Sequence, residues 1–144
     1  MRKIFASMVL LVAVADVFAC SVGAYSTSDK VLRSIQKYGF SFNNYEEICK
    51  KLNDSNAELV ISGSATVLAG NSIGWAAIGL KDKRAMVFTN SYGGLATQIN
   101  GYASQDKAEE LLAMAINEAI NNTGFNKALS ALDESRKQAK MIVK

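Results

Sequence analysis

At Ser104 the spacing of the apolar residues changes from a two-residue to a 3.6-residue period, and that change constrains the fold more than any other feature. Ala108, Leu111, Leu112, Ala115, Ile116, Ala119 and Ile120 form an unbroken apolar stripe, which predicts a helix with one buried face. Ser104 is placed to cap it, and Asn121-Asn122-Thr123-Gly124 breaks it. A stripe of that width needs an apolar surface to lie on, and the preceding residues supply one. Segments 58–68 (ELVISGSATVL), 73–80 (IGWAAIGL), 84–89 (RAMVFT) and 95–102 (LATQINGY) are short runs rich in β-branched and apolar residues. Turn signals separate them at Gly70-Asn71-Ser72, Lys81-Asp82-Lys83 and Ser91-Tyr92-Gly93-Gly94. Strand and turn together occupy about ten residues, too few for parallel crossovers, so the spacing predicts an antiparallel meander.

The flanking segments read as helices. Residues 29–38 place Val31, Leu32 and Ile35 on one face, with Ser28 as cap and Gly39 as stop. Residues 45–52, capped by Asn43 or Asn44, carry Glu46 and Glu47 in the first turn, where the helix dipole favours them. A last helix starts near Asn126 and carries Ala128, Leu129 and Leu132 before the basic stretch that opens at Arg136. The expected fold is therefore α+β: a four-stranded antiparallel meander sheet with two N-terminal and two C-terminal helices, the striped helix lying across one sheet face.

Before these elements stands a different kind of segment. Met1-Arg2-Lys3 is cationic, residues 4–15 (IFASMVLLVAVA) are apolar, and small residues follow at Ala19, Ser21, Gly23 and Ala24. That order predicts a secretory signal peptide over residues 1–24, cleaved after Ala19 or after Ala24, and one globular domain over 25–144. The apolar run is too short to span a bilayer. Val17-Phe18-Ala19-Cys20 is also lipobox-like, so Cys20 has two expected fates: lipidation, which would tether the chain to a membrane, or a disulfide with Cys49 in an oxidising compartment. The expected location is periplasmic or secreted, with an outer-membrane lipoprotein as the alternative.

Charge and chemistry exclude more than they assign. The chain has 144 residues and a net charge of +3, which falls to +2 once Arg2, Lys3 and Asp16 are removed. That balance is too small for nucleic-acid binding. Gly70-Asn71-Ser72-Ile73-Gly74 matches the G-x-S-x-G nucleophile elbow, but such an elbow needs a helix after the serine, and Trp75-Ala76-Ala77-Ile78 reads as strand. The chain contains no histidine, the usual base of a serine triad. A Ser-Lys dyad would need Lys81, Lys83 or Lys107 beside a serine. The adjacent pairs Glu46-Glu47 and Glu109-Glu110 diverge on their helices, the glycines form no phosphate loop, and two cysteines without histidine make no metal site. No cofactor is expected.

Trp75-Ala76-Ala77-Ile78 in a strand, followed by Gly101-Tyr102-Ala103-Ser104 opening a helix with Ala108 and Ala113, resembles a family of small secreted bacterial domains. These carry a W-x-A-I strand and an S-x-x-x-A-x-x-x-A helix and have no established activity. The resemblance spans about residues 74 to 118, without that family's helix cysteine, and implies an exported α+β domain. These features together lead to the expectation of a non-enzymatic binding protein of a bacterial envelope, such as an inhibitor or immunity protein that neutralises a secreted effector. Its partner would be an envelope protein, met by the turn residues Lys81, Asp82, Lys83, Arg84, Asn90, Ser91 and Tyr92. A lipid-anchored structural protein and an enzyme with an unrecognised site are the alternatives.

Overall fold

The computed structural model describes residues 20–142. The cationic head and apolar run of the expected signal peptide lie outside them. The elements run β1 (Ala24–Tyr25), α1 (Asp29–Tyr38), α2 (Tyr45–Asp54), β2 (Ala57–Leu68), β3 (Asn71–Asp82), β4 (Gly94–Asn100), α3 (Gln105–Asn121) and α4 (Phe125–Ile142). The fold is α+β, with two helices before the main strands and two after. Four strands form one sheet in the order β1-β2-β3-β4.

Two features of the expected sheet are corrected. The sheet is mixed: β1 runs parallel to β2, with Ala24 opposite Leu59 and Tyr25 opposite Val60. Segment 84–89, expected as a strand, is a loop touching the sheet through one bridge, Lys81 to Phe88. The cause is Asp82, whose Oδ1 accepts the backbone N–H groups of Arg84 (2.7 Å) and Ala85 (2.9 Å). Those bonds curl the chain away from the ladder.

β2 and β3 form a continuous twelve-pair hairpin from Ala57 opposite Asp82 to Leu68 opposite Asn71. Its loop is Ala69-Gly70, both at positive φ (48° and 79°), as a twist-matched two-residue turn requires. The turn therefore falls earlier than the expected Gly70-Asn71-Ser72, and Ser72 belongs to β3.

The striped helix lies on the sheet as its sequence dictates, with Ala108, Leu111, Leu112, Ala115, Ile116, Ala119 and Ile120 all buried. It approaches closely because the sheet offers glycine beneath it. A Cβ at Gly74 would run into the backbone of Leu111 and Leu112, and one at Gly94 into that of Ala119. α1 flanks α3 over β2, adding Val31 to the core, and α2 adds Cys49 and Leu52.

Residues 20–24, assigned above to the signal peptide, are part of this fold. Cys20 forms a disulfide with Cys49. Val22 is buried, and its N–H donates to the Tyr45 hydroxyl (3.2 Å). Leu59 N–H donates to Gly23 C=O (3.0 Å). The described fold thus includes residues 20–24 as well as those from Tyr25 onward. No described helix is long and apolar enough to cross a membrane.

Candidate functional site

Gly63, Gly74 and Gly94 point at the helix layer, so strand alternation sends their neighbours to the opposite face. On that face the register aligns three uncharged rows: Thr66, Ile73 and Ile99; Ser64, Trp75 and Thr97; Ser62, Ala77 and Leu95. No described helix covers them. Leu95, Ile99 and, at the hairpin end, Leu68 are each 64% exposed, and Trp75 is 40% exposed. Single exposed apolar residues are ordinary, whereas a contiguous group on one face marks a contact surface. No charged residue occurs between Leu59 and Leu80 or between Gly94 and Asn100.

Residues 83–93 close one end of this face. Thr89 anchors the loop by donating its N–H to Leu80 C=O (2.9 Å) and accepting the Leu80 N–H on Oγ1 (3.1 Å). Tyr92 lies across Gly79, its hydroxyl 3.1 Å from Ser62 Oγ. Beneath the loop is a small cleft of about 220 Å³ lined by Val60, Gly79, Phe88, Thr89 and Tyr92 among others.

The turn residues expected to meet a partner separate into two groups. Lys83, Arg84, Asn90, Ser91 and Tyr92 are exposed, and Tyr92 borders the open face. Lys81 and Asp82 are not at a solvated tip: they end β3 and are buried. Lys81 Nζ bonds Glu58 Oε1 at 2.5 Å and lies 5.3 Å from the centre of the Tyr25 ring. Asp82 faces α4, where Arg136 Nε donates to its Oδ2 (2.8 Å). Burial alone would raise the Asp82 pKa. The Arg84 and Ala85 N–H groups and the Arg136 guanidinium outweigh it and hold the carboxyl at about 2. Buried ion pairs need this degree of satisfaction to persist.

Ser72 is fully buried. Its Oγ lies 2.6 Å from Tyr102 C=O and 2.8 Å from Ser104 C=O, and it accepts the Ser104 N–H at 3.0 Å. It pins the start of α3 to the start of β3, a structural task that leaves no lone hydroxyl for attack. The lysines weighed for a dyad pair elsewhere, Lys83 with Asn53 and Lys107 with Glu110. At Cys20 the disulfide and a lipid thioether exclude each other, because one sulfur cannot form both bonds.

The open sheet face was missed from the sequence because it has no motif. Its one signal is the absence of charge from residues 59–80 and 94–100, which make up most of three successive strands. Comparisons with known protein families, with characterised proteins and with solved structures find no match for this chain. The resemblance to small secreted bacterial domains rests on its residues alone.

Proposed function

We propose that this chain is an exported, non-enzymatic protein of a bacterial envelope that binds another protein through the open sheet face, as an inhibitor or immunity protein binds the effector it neutralises. The observation that carries this reading is the uncharged face itself, with Trp75 at its centre, Leu95 and Ile99 along one side and Tyr92 at its end. Exposed tryptophan and tyrosine on a rigid scaffold suit a protein interface, where they contribute large contact area at little entropic cost. Export is supported by the signal-like N-terminal order and by the Cys20–Cys49 disulfide, a bond that persists in oxidising compartments. Because residues 20–24 are built into the fold, cleavage after Ala19 preserves it, and cleavage after Ala24 would remove the disulfide.

The test compares capture from an envelope fraction by the wild-type chain and by Trp75→Ala, a change the half-exposed site tolerates without loss of core. A stoichiometric partner held by the wild type and lost from Trp75→Ala supports the reading. The same partner retained by Trp75→Ala, or no partner at all, overturns it. Intact mass of the recovered chain reads the N-terminus and any acylation in the same experiment.

A further inference from the structure

We infer that two copies of this chain join through β4 into a continuous eight-stranded sheet, about a two-fold axis at Thr97. The first support is hydrogen bonding. Ile78 C=O accepts the Gly93 N–H (2.6 Å), and Leu80 exchanges both its groups with Thr89, so the even residues of β3 point toward β4. The pairing sums then turn Gly94, Ala96, Gln98 and Asn100 toward β3, and leave the N–H and C=O groups of Leu95, Thr97 and Ile99 on the free edge. The Asn122 side chain donates to Leu95 C=O (3.2 Å). No hydrogen bond from another described residue's side chain reaches the backbone of Thr97 or Ile99. Antiparallel pairing about Thr97 sets Thr97 opposite Thr97 and Leu95 opposite Ile99 of the second copy. Every outward donor then meets an outward acceptor.

Side chains match in the same register. Leu95 and Ile99, both prominently exposed, become cross-strand neighbours on the open face. On the helix layer, Gly74 lies under Leu111 and Leu112 and Gly94 under Ala119, so Thr97 is level with Met114. Gln98 bonds Glu118, which identifies the α3 flank facing the free edge, and Lys107, Met114 and Glu118 recur along it at helical spacing. Two α3 helices related by this axis run antiparallel at about 10 Å, an ordinary packing distance. Met114, 47% exposed, meets its own copy at the centre. The edge also lacks the lysine, proline or bulge with which single-chain sheets block such pairing.

The inference shares Leu95 and Ile99 with the binding reading, and Trp75 pairs with Thr97 one strand in from the seam. The tests differ: self-association and Thr97→Pro read the seam, whereas partner capture and Trp75→Ala read the binding face. The test is sedimentation equilibrium of the full chain, expressed as encoded and recovered with its disulfide formed, from about 1 to about 300 µM. We expect a monomer–dimer equilibrium. Thr97→Pro removes an N–H that faces only the edge, and Ile99→Lys places a charge against Leu95. Each weakens association roughly a hundredfold with the thermal transition little changed. A wild-type chain that stays monomeric overturns the inference, as does a dimer that neither substitution disturbs. Should Thr97→Pro not fold, a nitroxide on Thr97→Cys reads the seam directly: strong dipolar coupling between copies supports it, and its absence overturns it.

Discussion

Arg136, near the end of the last helix, reaches back 54 residues in sequence to hold Asp82 at the end of β3, Nε to Oδ2 at 2.8 Å. The same guanidinium donates to the carbonyls of Ser55 (2.9 Å) and Asn56 (3.0 Å) and to Asp133 (2.8 Å). One side chain thus ties α4, β3 and the α2–β2 turn together.

That tie makes stability depend on acid. Asp82 is held at about 2, below its ordinary 3.8, so the folded state binds its proton less readily than the unfolded one. The resulting stabilisation is fully present above about pH 4 and is lost as pH falls toward 2. Asp82→Asn should lower stability at pH 7 by roughly 1–2 kcal/mol and flatten the acid limb over that window. Urea unfolding at a series of pH values checks it; parallel acid limbs in the two proteins would show that Asp82 is not responsible.

The disulfide closes a loop between residues 29 apart in sequence. Replacing Cys20 and Cys49 together with alanine should cost about 3 kcal/mol, chiefly by freeing the unfolded chain. The N-terminal residues that dock as β1 should then exchange their amide hydrogens faster than β2 and β3 do. Denaturant unfolding and hydrogen exchange measure the two effects separately.

Gly74 and Gly101 should respond in opposite ways to the same change. Gly74→Ala drives a methyl group into the α3 backbone, whereas at Gly101 the nearest atom is the Asn71 side-chain oxygen at 4.0 Å. Gly74→Ala should cost at least about 3 kcal/mol or prevent folding, and Gly101→Ala should stay within about 0.5 kcal/mol of the parent. Equal melting temperatures for the two variants would mean that α3 is not seated as closely as described.

Ser72→Ala should destabilise the protein by about 1–2 kcal/mol, because the fully buried Ser72 hydroxyl and its bonds to the Tyr102 and Ser104 backbone groups would be lost. A surface nucleophile removed by the same substitution would leave stability untouched. Thermal unfolding of the variant decides between these roles.

Much of the architecture was legible before the structure. The caps Ser28 and Ser104 hold where their positions imply, each accepting a backbone N–H from three residues on, because capping is a local bargain between one side chain and one turn. The β2–β3 hairpin and the α3 stripe were legible for the same reason: both arise from periodicities along the chain. β1 was not legible, being two residues long and paired in parallel with a strand more than thirty residues away. The 84–89 run has strand composition, yet Asp82 takes the N–H groups that a ladder would need.

The sequence by itself determined the order and kind of the main elements, the face α3 buries, and the lack of histidine that closes off a serine triad. Tertiary structure alone decided that Lys81 and Asp82 are buried ion-pair members, that Cys20 belongs to the fold, and that three uncharged strand faces align into one open surface. The physical reason is range. Helix periodicity and caps are settled within a turn or two of chain, whereas burial of a charge, closure of a disulfide and exposure of a sheet face depend on what distant residues bring against them.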